Sequence, residues 1–329
     1  MKVINRLYLI VATIFCITLS VGCSSSQIVY FDRLTPQITN TNISTNSLAI
    51  ANNMIINDPN RILKKYNITS KDIEETTIVN LANAGIFQTL TLVDSNRFKE
   101  TPKGTIIPND SVYKIIGRVN AQNLLTLTEI TVTENLQKTD LYIDTYTIQI
   151  KADNFNRRTT PQRQPISFTT ELSVQSDYYD GFIKELIIEH IGQNIAANIS
   201  PYWKSVGRVI YDDSNLSKGS KAFNKGDMNE ARERWSEAYE KTNKESVRAK
   251  AALNIVYTYE VVDDITNALE WAKIAFENAL IAEKVGKNEQ DEIIITEKDE
   301  LSSMAYMYYT LLETRKLELD KLEKQLNNK

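Results

Sequence analysis

The sequence predicts an α+β domain followed by an all-α domain, and two patterns lead to that prediction. Within residues 28–200, several segments alternate apolar and polar side chains with period two, which is typical of a sheet with one wet face. From residue 214 to residue 329, apolar and small side chains recur at helical spacing instead. We therefore expect a mixed sheet with two helices on one face, and then a set of helical hairpins.

Composition argues against several function classes. The formal net charge is −4, and neither domain carries the basic excess that draws a protein onto nucleic acid. Both cysteines, Cys16 and Cys23, lie near the amino terminus, so a processed chain has no pair of thiols for a disulfide or a zinc site. His190 is the single histidine. We expect no nucleic acid, no metal and no cofactor.

A basic start and a short apolar run make residues 1–22 a cleavable signal peptide rather than a membrane-spanning helix. The run ends in Leu19-Ser20-Val21-Gly22-Cys23, which resembles the lipobox of bacterial lipoproteins. That resemblance implies cleavage before Cys23 and diacylation of its thiol, which would anchor the protein in a membrane. The alternative is an ordinary secretory signal with a chance cysteine.

Residues 23–27 form the predicted tether, and its four residues after the cysteine span at most roughly 14 Å. Ser24 stands where lipoproteins retained in the inner membrane have an aspartate, and the acidic run of surface-directed lipoproteins is missing. By that resemblance we expect a cell-envelope protein, lipid-anchored in the periplasmic leaflet of the outer membrane.

The elements of the α+β domain follow from local signals. Thr69 and Asp72 form a capping box that starts one helix, and Gly85 ends it. Isoleucines spaced four apart indicate a second helix over 181–199, which Pro201 ends. The predicted strands are Ser47–Ile50, Gln88–Asp94, Val112–Leu127 with a break near Asn120, Leu141–Lys151 and Ile166–Val174.

Residues 201–213 are predicted to connect the two domains. Trp203, Val206 and Ile210 lie at helical spacing, so we expect a helical segment here. Its aromatic anchor would dock the helical domain onto the sheet domain.

The all-α domain contains a repeated pattern of small and aromatic residues. Ala231, Trp235 and Ala238 share their offsets with Ala268, Ala272 and Ala275. The copies lie about 37 residues apart, near the period of about 34 of tetratricopeptide repeats. Two hairpins are fewer than the three repeats that such arrays need. We therefore expect Trp203 on one side and a long closing helix on the other to cover the apolar faces of the hairpins. Arg315 lies in the seam of that closing helix.

The order of parts resembles a group of uncharacterised bacterial lipoproteins that carry a domain of unknown function and a terminal tetratricopeptide region. The residues that carry this resemblance are Gly22-Cys23, Leu34-Thr35-Pro36, Pro201-Tyr202-Trp203, Val206, Arg208, Gly226-Asp227, Ala231, Trp235, Ala251-Ala252-Leu253-Asn254, Tyr309, Leu312 and Arg315. The resemblance implies the architecture and location. It assigns no catalytic or binding residue.

The inner face of such hairpins is the candidate binding surface, because their first helices line it. The repeat pattern places Lys250, Leu253, Asn254 and Tyr257 there in the second copy, and Leu216, Ser220 and Phe223 in the first. Asn254 falls where some peptide-binding repeats hold a main chain; the alternative is a bond between helices. The expected partner is an unidentified periplasmic protein or peptide.

Catalytic signals are weak in this sequence. The common phosphate-binding loops and H-E-x-x-H are missing, and His190 lies at the edge of the isoleucine stripe, as a structural histidine would. The carboxylate pairs Glu74-Glu75 and Asp263-Asp264 read as a helix surface and a helix start. We expect no enzyme. The two hypotheses are an interaction scaffold that uses the hairpins, and a structural envelope lipoprotein that self-associates through the α+β domain.

Overall fold

The computed structural model describes residues 26–39, 43, 46–94, 101–135, 143–157, 160–175, 178–288, 290 and 292–327. The chain divides into two compact units. The helical unit contains the described chain up to Arg33 together with Ser205–Leu317, and the sheet unit contains Leu34–Lys204 and the described residues from Glu318 onward. The signal peptide and Cys23 lie outside the described residues.

Strands and helices alternate in the first two thirds of the described chain. The strands are β1 Ser26–Thr35, β2 Ser47–Asn57, β3 Thr89–Val93, β4 Asn123–Asn135, β5 Ile143–Asn156, β6 Gln162–Gln175 and β7 Tyr202–Tyr211. The helices are α1 Ile62–Lys65, α2 Ser70–Ala84, α3 Asn109–Val119, α4 Asp180–Ile199, α5 Ser217–Asn224, α6 Met228–Lys241, α7 Glu245–Glu260, α8 Ile265–Glu283 and α9 Glu300–Asn327.

Five strands form a mixed sheet in the order β3-β2-β4-β5-β6. β2 pairs in parallel with β3 and β4, whereas β4, β5 and β6 pair antiparallel. Parallel neighbours need crossover connections, which α2 and α3 supply, and the antiparallel strands follow one another directly. The two strands β1 and β7 form a separate sheet.

Helices α2 and α4 cover one face of the mixed sheet, as predicted. Ile73 and Leu81 of α2 join Ile187 and Ile191 of α4 in the cluster that also holds the even-numbered apolar residues of β5 and β6. The capping box is present, since Thr69 accepts from the Asp72 amide while Asp72 accepts from the Thr69 amide, and Gly85 ends the helix at φ 69°. The predicted fold class is confirmed.

The predicted strand over Val112–Leu127 was wrong in its first half, which is α3. Val112, Ile115 and Ile116 are buried at helical spacing, and they pack on the opposite face of the mixed sheet from α2 and α4. The break near Asn120 is real, because this residue ends the helix in the left-handed conformation at φ 51°. β4 then begins at Asn123.

The predicted helical connection over 201–213 was also wrong, because most of it is β7. Trp203 is 54% exposed, Val206 is half-buried and Ile210 is fully buried. Residues four apart can share a face of a helix or of a strand, so the spacing of Val206 and Ile210 did not discriminate. Tether residues 26 and 27 are part of β1.

The helical unit is built from α5 to α9, and the two predicted hairpins are α5–α6 and α7–α8. Ala231 and Trp235 are buried in one cluster, and Ala275 and Ala279 in a second that also holds Ala305 of α9. Asp227 and Asp264 cap α6 and α8 by accepting amide hydrogen bonds. Among the described residues, no helix is long and apolar enough to cross a membrane.

Candidate functional site

The seven residues predicted to line the inner face all lie in the helical unit, but they are mostly buried, and Leu253 packs in a separate cluster with Ala305 and Tyr308 of α9. Leu216 and Ser220 are 1% exposed, Leu253 and Asn254 are 0% exposed and Tyr257 is 4% exposed. Phe223 packs against the cluster that holds Leu216 and Tyr257, and Lys250 is half-buried. The expectation that this face is free was therefore wrong.

The strand pair β1–β7, here called the ribbon, covers this face. The Asn254 side chain donates to the Tyr211 carbonyl at 2.8 Å and accepts from the Tyr211 amide at 2.8 Å. Phe31 of β1 packs edge-on against Tyr257, with 5.6 Å between ring centroids. Asn254 thus holds the protein's own main chain in β7, which is neither the main chain of a ligand nor the bond between helices that the sequence suggested.

One large side chain, Trp235, packs between the two helices of the first hairpin. Trp235 of α6 is fully buried, and its indole nitrogen donates to the Leu216 carbonyl at 3.2 Å. Gly219 of α5 lies so close that a Cβ there would collide with the indole ring. Close approach of α5 and α6 therefore requires glycine at this position.

Lys250 is already engaged within the helical unit. Its ammonium group lies 3.7 Å from an Asp213 carboxylate oxygen and 5.5 Å from the centre of the Tyr211 ring. Both partners belong to β7 or the residues that follow it. The predicted ligand-facing lysine therefore ties the ribbon to α7.

Three buried charges hold the ribbon at a second point. Arg208 of β7 donates to both carboxylate oxygens of Glu260, at 2.8 Å and 2.6 Å. Arg33 of β1 lies 3.5 Å from the same carboxylate. These side chains are at most 9% exposed, and the Tyr308 ring packs 5.2 Å from the Arg208 guanidinium. Because these charges are buried, each one is stabilised by the opposite charge beside it, and losing that partner would leave it uncompensated.

Tyrosines around the ribbon are held in the neutral form. Burial raises the pKa of Tyr211 to about 12. Burial also raises the pKa of Tyr257 and of Tyr308, although the Val209 amide, which donates to Tyr308 at 2.5 Å, lowers the latter. Neutral phenols at this position serve as packing groups and hydrogen-bond partners, not as bases at neutral pH.

The closing helix α9 is predicted correctly, and it has one buried side and one open side. Arg315 is fully buried and donates to Asp263 at 2.8 Å. Glu283 of α8 accepts from the amides of Leu301 and Ser302 at the start of α9. The open side, here called the outer face, has three exposed apolar residues: Tyr306 at 49%, Met307 at 43% and Leu317 at 70%.

The candidate catalytic residues of the sheet unit, His190, Glu74 and Glu75, each have a partner among the described residues. His190 bonds to the Thr170 hydroxyl at 2.8 Å, and burial lowers its pKa. Glu74 and Glu75 diverge: the Asn52 amide donates to Glu74 at 3.4 Å, while Glu75 is exposed and pairs with Lys71. Within the described ranges, no group of three or more His, Cys, Asp or Glu residues is placed to hold a metal ion.

An open polar cleft of about 500 Å³ lies in the sheet unit beside β3 and the start of α2. Burial raises the pKa of Glu74 at its wall, and the hydrogen bond from Asn52 opposes that rise. The remaining lining residues are Ser70, Lys71, Leu92, Val93, Asp94 and Lys103. The mixed charges and wide mouth define no particular ligand.

Comparison with known proteins bears on the helical unit. Residues 217–314 match the family model described as a domain of unknown function, DUF6340. This covers less than half of the chain and falls on α5 to α9. The match agrees in part with the resemblance to an uncharacterised lipoprotein group. No curated protein matches the sequence.

Three solved structures are similar at low levels. A minor lipoprotein from Acinetobacter baumannii is 15% identical, covering 48% of this chain and 92% of its own, with TM-score 0.27. The PelC dodecamer from Paraburkholderia phytofirmans is 11% identical over 53% and 99%, with TM-score 0.25. A lipoprotein from Neisseria meningitidis is 16% identical over 46% and 98%, with TM-score 0.26. Alignments at these TM-scores do not establish a shared fold.

Proposed function

We propose that this protein is a lipid-anchored envelope protein whose helical unit is an interaction scaffold for a periplasmic protein, and that the partner binds the outer face of α9. The observation that supports this surface is the exposure of Tyr306, Met307 and Leu317 on the last helix of the array. The inner face is a poor candidate, because the ribbon already fills it.

The types of the exposed residues on the outer face are what make their exposure informative. The outer face has an aromatic ring, a methionine and a leucine, and aromatic residues and methionine are enriched in protein interfaces. A binding role explains why such residues are exposed on α9.

The surroundings of the outer face favour a specific contact. The Tyr306 ring packs against Phe276 of α8, with centroids 5.5 Å apart, so its orientation is restrained before a partner arrives. The Tyr309 hydroxyl bonds to Glu313, and this hydrogen bond raises the pKa of Tyr309. An apolar centre with polar groups beside it is the usual layout of a protein interface.

Photo-crosslinking in intact cells tests this surface. A photoreactive amino acid at Tyr306 is expected to capture a defined partner, whereas the same residue at buried Tyr257 or at Lys273, whose side chain is 69% exposed on α8, is not. Tyr306→Ala is expected to weaken partner affinity at least about tenfold, as loss of an interface anchor does. Capture at Tyr257 with none at Tyr306 would contradict the proposal.

The lipid anchor is tested separately through the thiol. A palmitate-labelled product that accumulates as a precursor in globomycin is expected for the native chain, and Cys23→Ser should abolish the label. If the native protein is secreted and unlabelled, the result contradicts both the lipid anchor and the proposed location in the periplasmic leaflet of the outer membrane.

A second candidate function is self-assembly through the sheet unit. β6 is a long strand at the edge of the mixed sheet, and Ser167, Thr169, Glu171 and Ser173 are exposed along it. Edge strands offer unpaired backbone groups to a second copy, although Pro165 interrupts the row. The mass of the solubilised mature protein decides between the candidates: a stable ring or filament favours assembly, and a monomer contradicts it.

A further inference from the structure

We infer that the outer side of the ribbon, formed by Ile28 and Tyr30, lies in the headgroup layer of the membrane that anchors the protein, so that β1 fixes the helical unit against the bilayer. This inference rests on the lipid anchor proposed above. It goes beyond that anchor because it assigns a membrane-contacting surface to folded residues.

The two side chains form one continuous apolar patch. Ile28 is 63% exposed and Tyr30 is 70% exposed, and residues two apart in a strand share a face. Both reach over Gly207 of β7, where an added Cβ would lie 3.1 Å from the Tyr30 ring and 3.5 Å from Ile28. The glycine thus lets the ring and the aliphatic side chain lie side by side on the ribbon.

The other side of β1 explains why this patch cannot turn inward. Val29 and Phe31 pack into the core of the helical unit, and Gln27 donates to Asn224 of α5 at 3.3 Å. The strand is held on its inner side from its first residues onward. Ile28 and Tyr30 must therefore face away from the helices.

Chain length places the patch at the bilayer. Ile28 lies at most about 17 Å of extended chain from Cys23. The acyl chains of the proposed lipid enter the hydrocarbon core, so the glyceryl group that joins them to Cys23 lies in the headgroup layer, which adds only several ångströms on each side of that core. The patch is therefore always within reach of the membrane surface.

Two apolar residues lie on the exposed side of β1 between the cysteine and the charged residue. After exposed Ser26 come Ile28 and Tyr30, and exposed Asp32 is the farthest of the four from Cys23 along the chain. Tyrosine is favoured at membrane interfaces because its ring is apolar and its hydroxyl is polar, whereas a carboxylate favours water. If a second protein covered the patch instead, the apolar residues would not need to come before the charged residue along the strand.

Site-directed fluorescence on vesicles tests the inference. Acylated protein carrying Ile28→Cys or Tyr30→Cys is labelled with an environment-sensitive probe, because lipid blocks the Cys23 thiol. It is then reconstituted into vesicles of phosphatidylethanolamine with a minority of phosphatidylglycerol. Ile281→Cys on α8, which is 63% exposed like Ile28, is the matched control.

Lipids that carry a headgroup-level quencher are expected to quench the probes at 28 and 30 several-fold more than the probe at 281. Equal quenching at all three positions would overturn the inference. So would a probe at 30 that is shielded from water but insensitive to the lipid quencher, because a protein would then cover the patch.

Flotation separates failure of the inference from failure of the anchor. If all variants float with the vesicles and only the quenching difference is missing, the anchor stands and the inference falls. If native protein carries no lipid and does not float, the proposed anchor itself fails. Circular dichroism confirms that each variant retains its helices.

Discussion

The inner face of the hairpins and the outer face of α9 are similar in residue type and opposite in exposure. The inner face contains Leu216, Phe223 and Tyr257, and it is covered by the ribbon. The outer face contains Tyr306, Met307 and Leu317, and it is exposed. Residue type along a helix therefore did not distinguish a covered face from an exposed one in this protein.

The two faces differ in exposure because segments that are distant in sequence cover the inner face. Gln27 reaches Asn224 across 197 positions, and Arg208 reaches Glu260 across 52. The hairpins alone leave their inner face open, and strands from before and after the mixed sheet close it. Changes at the ribbon should thus affect the inner face strongly and the outer face little.

The largest expected effect follows from Glu260→Ala. This change leaves Arg208 and Arg33 buried without their carboxylate, and breaking a buried ion pair on one side costs about 3–5 kcal/mol. Urea denaturation should show a lower midpoint with an unchanged slope. The exposed pair of Glu230 and Arg234 is the control, because Glu230→Ala should change the stability by at most about 1 kcal/mol. Comparable losses in the two variants would contradict the buried cluster.

Asn254→Ala should reduce the stability by about 3 kcal/mol. The Tyr211 amide and carbonyl both lose their partner in a buried place, and each unsatisfied group costs about 1–3 kcal/mol. Asn224→Ala, which removes only an exposed hydrogen bond, should stay within about 0.5 kcal/mol of the native protein. Partner capture at Tyr306 should survive in both variants. Loss of capture with unchanged stability in Asn254→Ala would instead support the inner face as the binding site.

Alanine at two helical glycines should act in opposite directions. Gly219→Ala forces the Trp235 indole to move and should cost about 1–2 kcal/mol net, since overpacking outweighs the gain in helix propensity. Gly117→Ala in α3 meets nothing within 4 Å and should stabilise by about 0.5–1 kcal/mol. Thermal unfolding measures both. Stabilisation by Gly219→Ala, as expected for Gly117→Ala, would show that α5 and α6 are not tightly apposed.

Local signals in the sequence predicted much of the fold. The capping box at Thr69, the stop at Gly85 and the isoleucine stripe of α4 each depend on neighbours within one or two turns, and each is present. α3 was mistaken for a strand because Val112, Ile115 and Ile116 are β-branched, and the predicted break near Asn120 was taken as an interruption of a strand and not as the end of a helix. Its buried side at i, i+3 and i+4 was the signal that could have identified it.

The site was harder to predict because its occupant is encoded elsewhere. The repeat pattern suggested a ligand main chain or another helix as the partner of Asn254, and no local feature showed that the partner is β7. The buried cluster at Glu260 was missed for the same reason, since arginine and glutamate are usually on the surface. One usable signal existed in β1, where Val29 and Phe31 alternate with exposed residues and so require a surface to cover them.

Tyr211→Phe should have the smallest effect on stability at neutral pH. Its effect at high pH tests whether the ribbon seals the inner face. The pKa of Tyr211 is raised by burial from an ordinary value of 10.0 to about 12, so the unfolded chain loses this proton first as pH rises. Below pH 10 the group does not change the stability. Between pH 10 and about 12 the native protein loses stability with each increment of pH, because only the unfolded state releases the proton.

The phenylalanine variant lacks this contribution, so the free energy of unfolding, measured in urea across this range, should fall less steeply with pH than for the native chain. Parallel pH dependence would mean that the Tyr211 ring is solvated, and that the ribbon does not seal the inner face as the Asn254 and Phe31 contacts indicate.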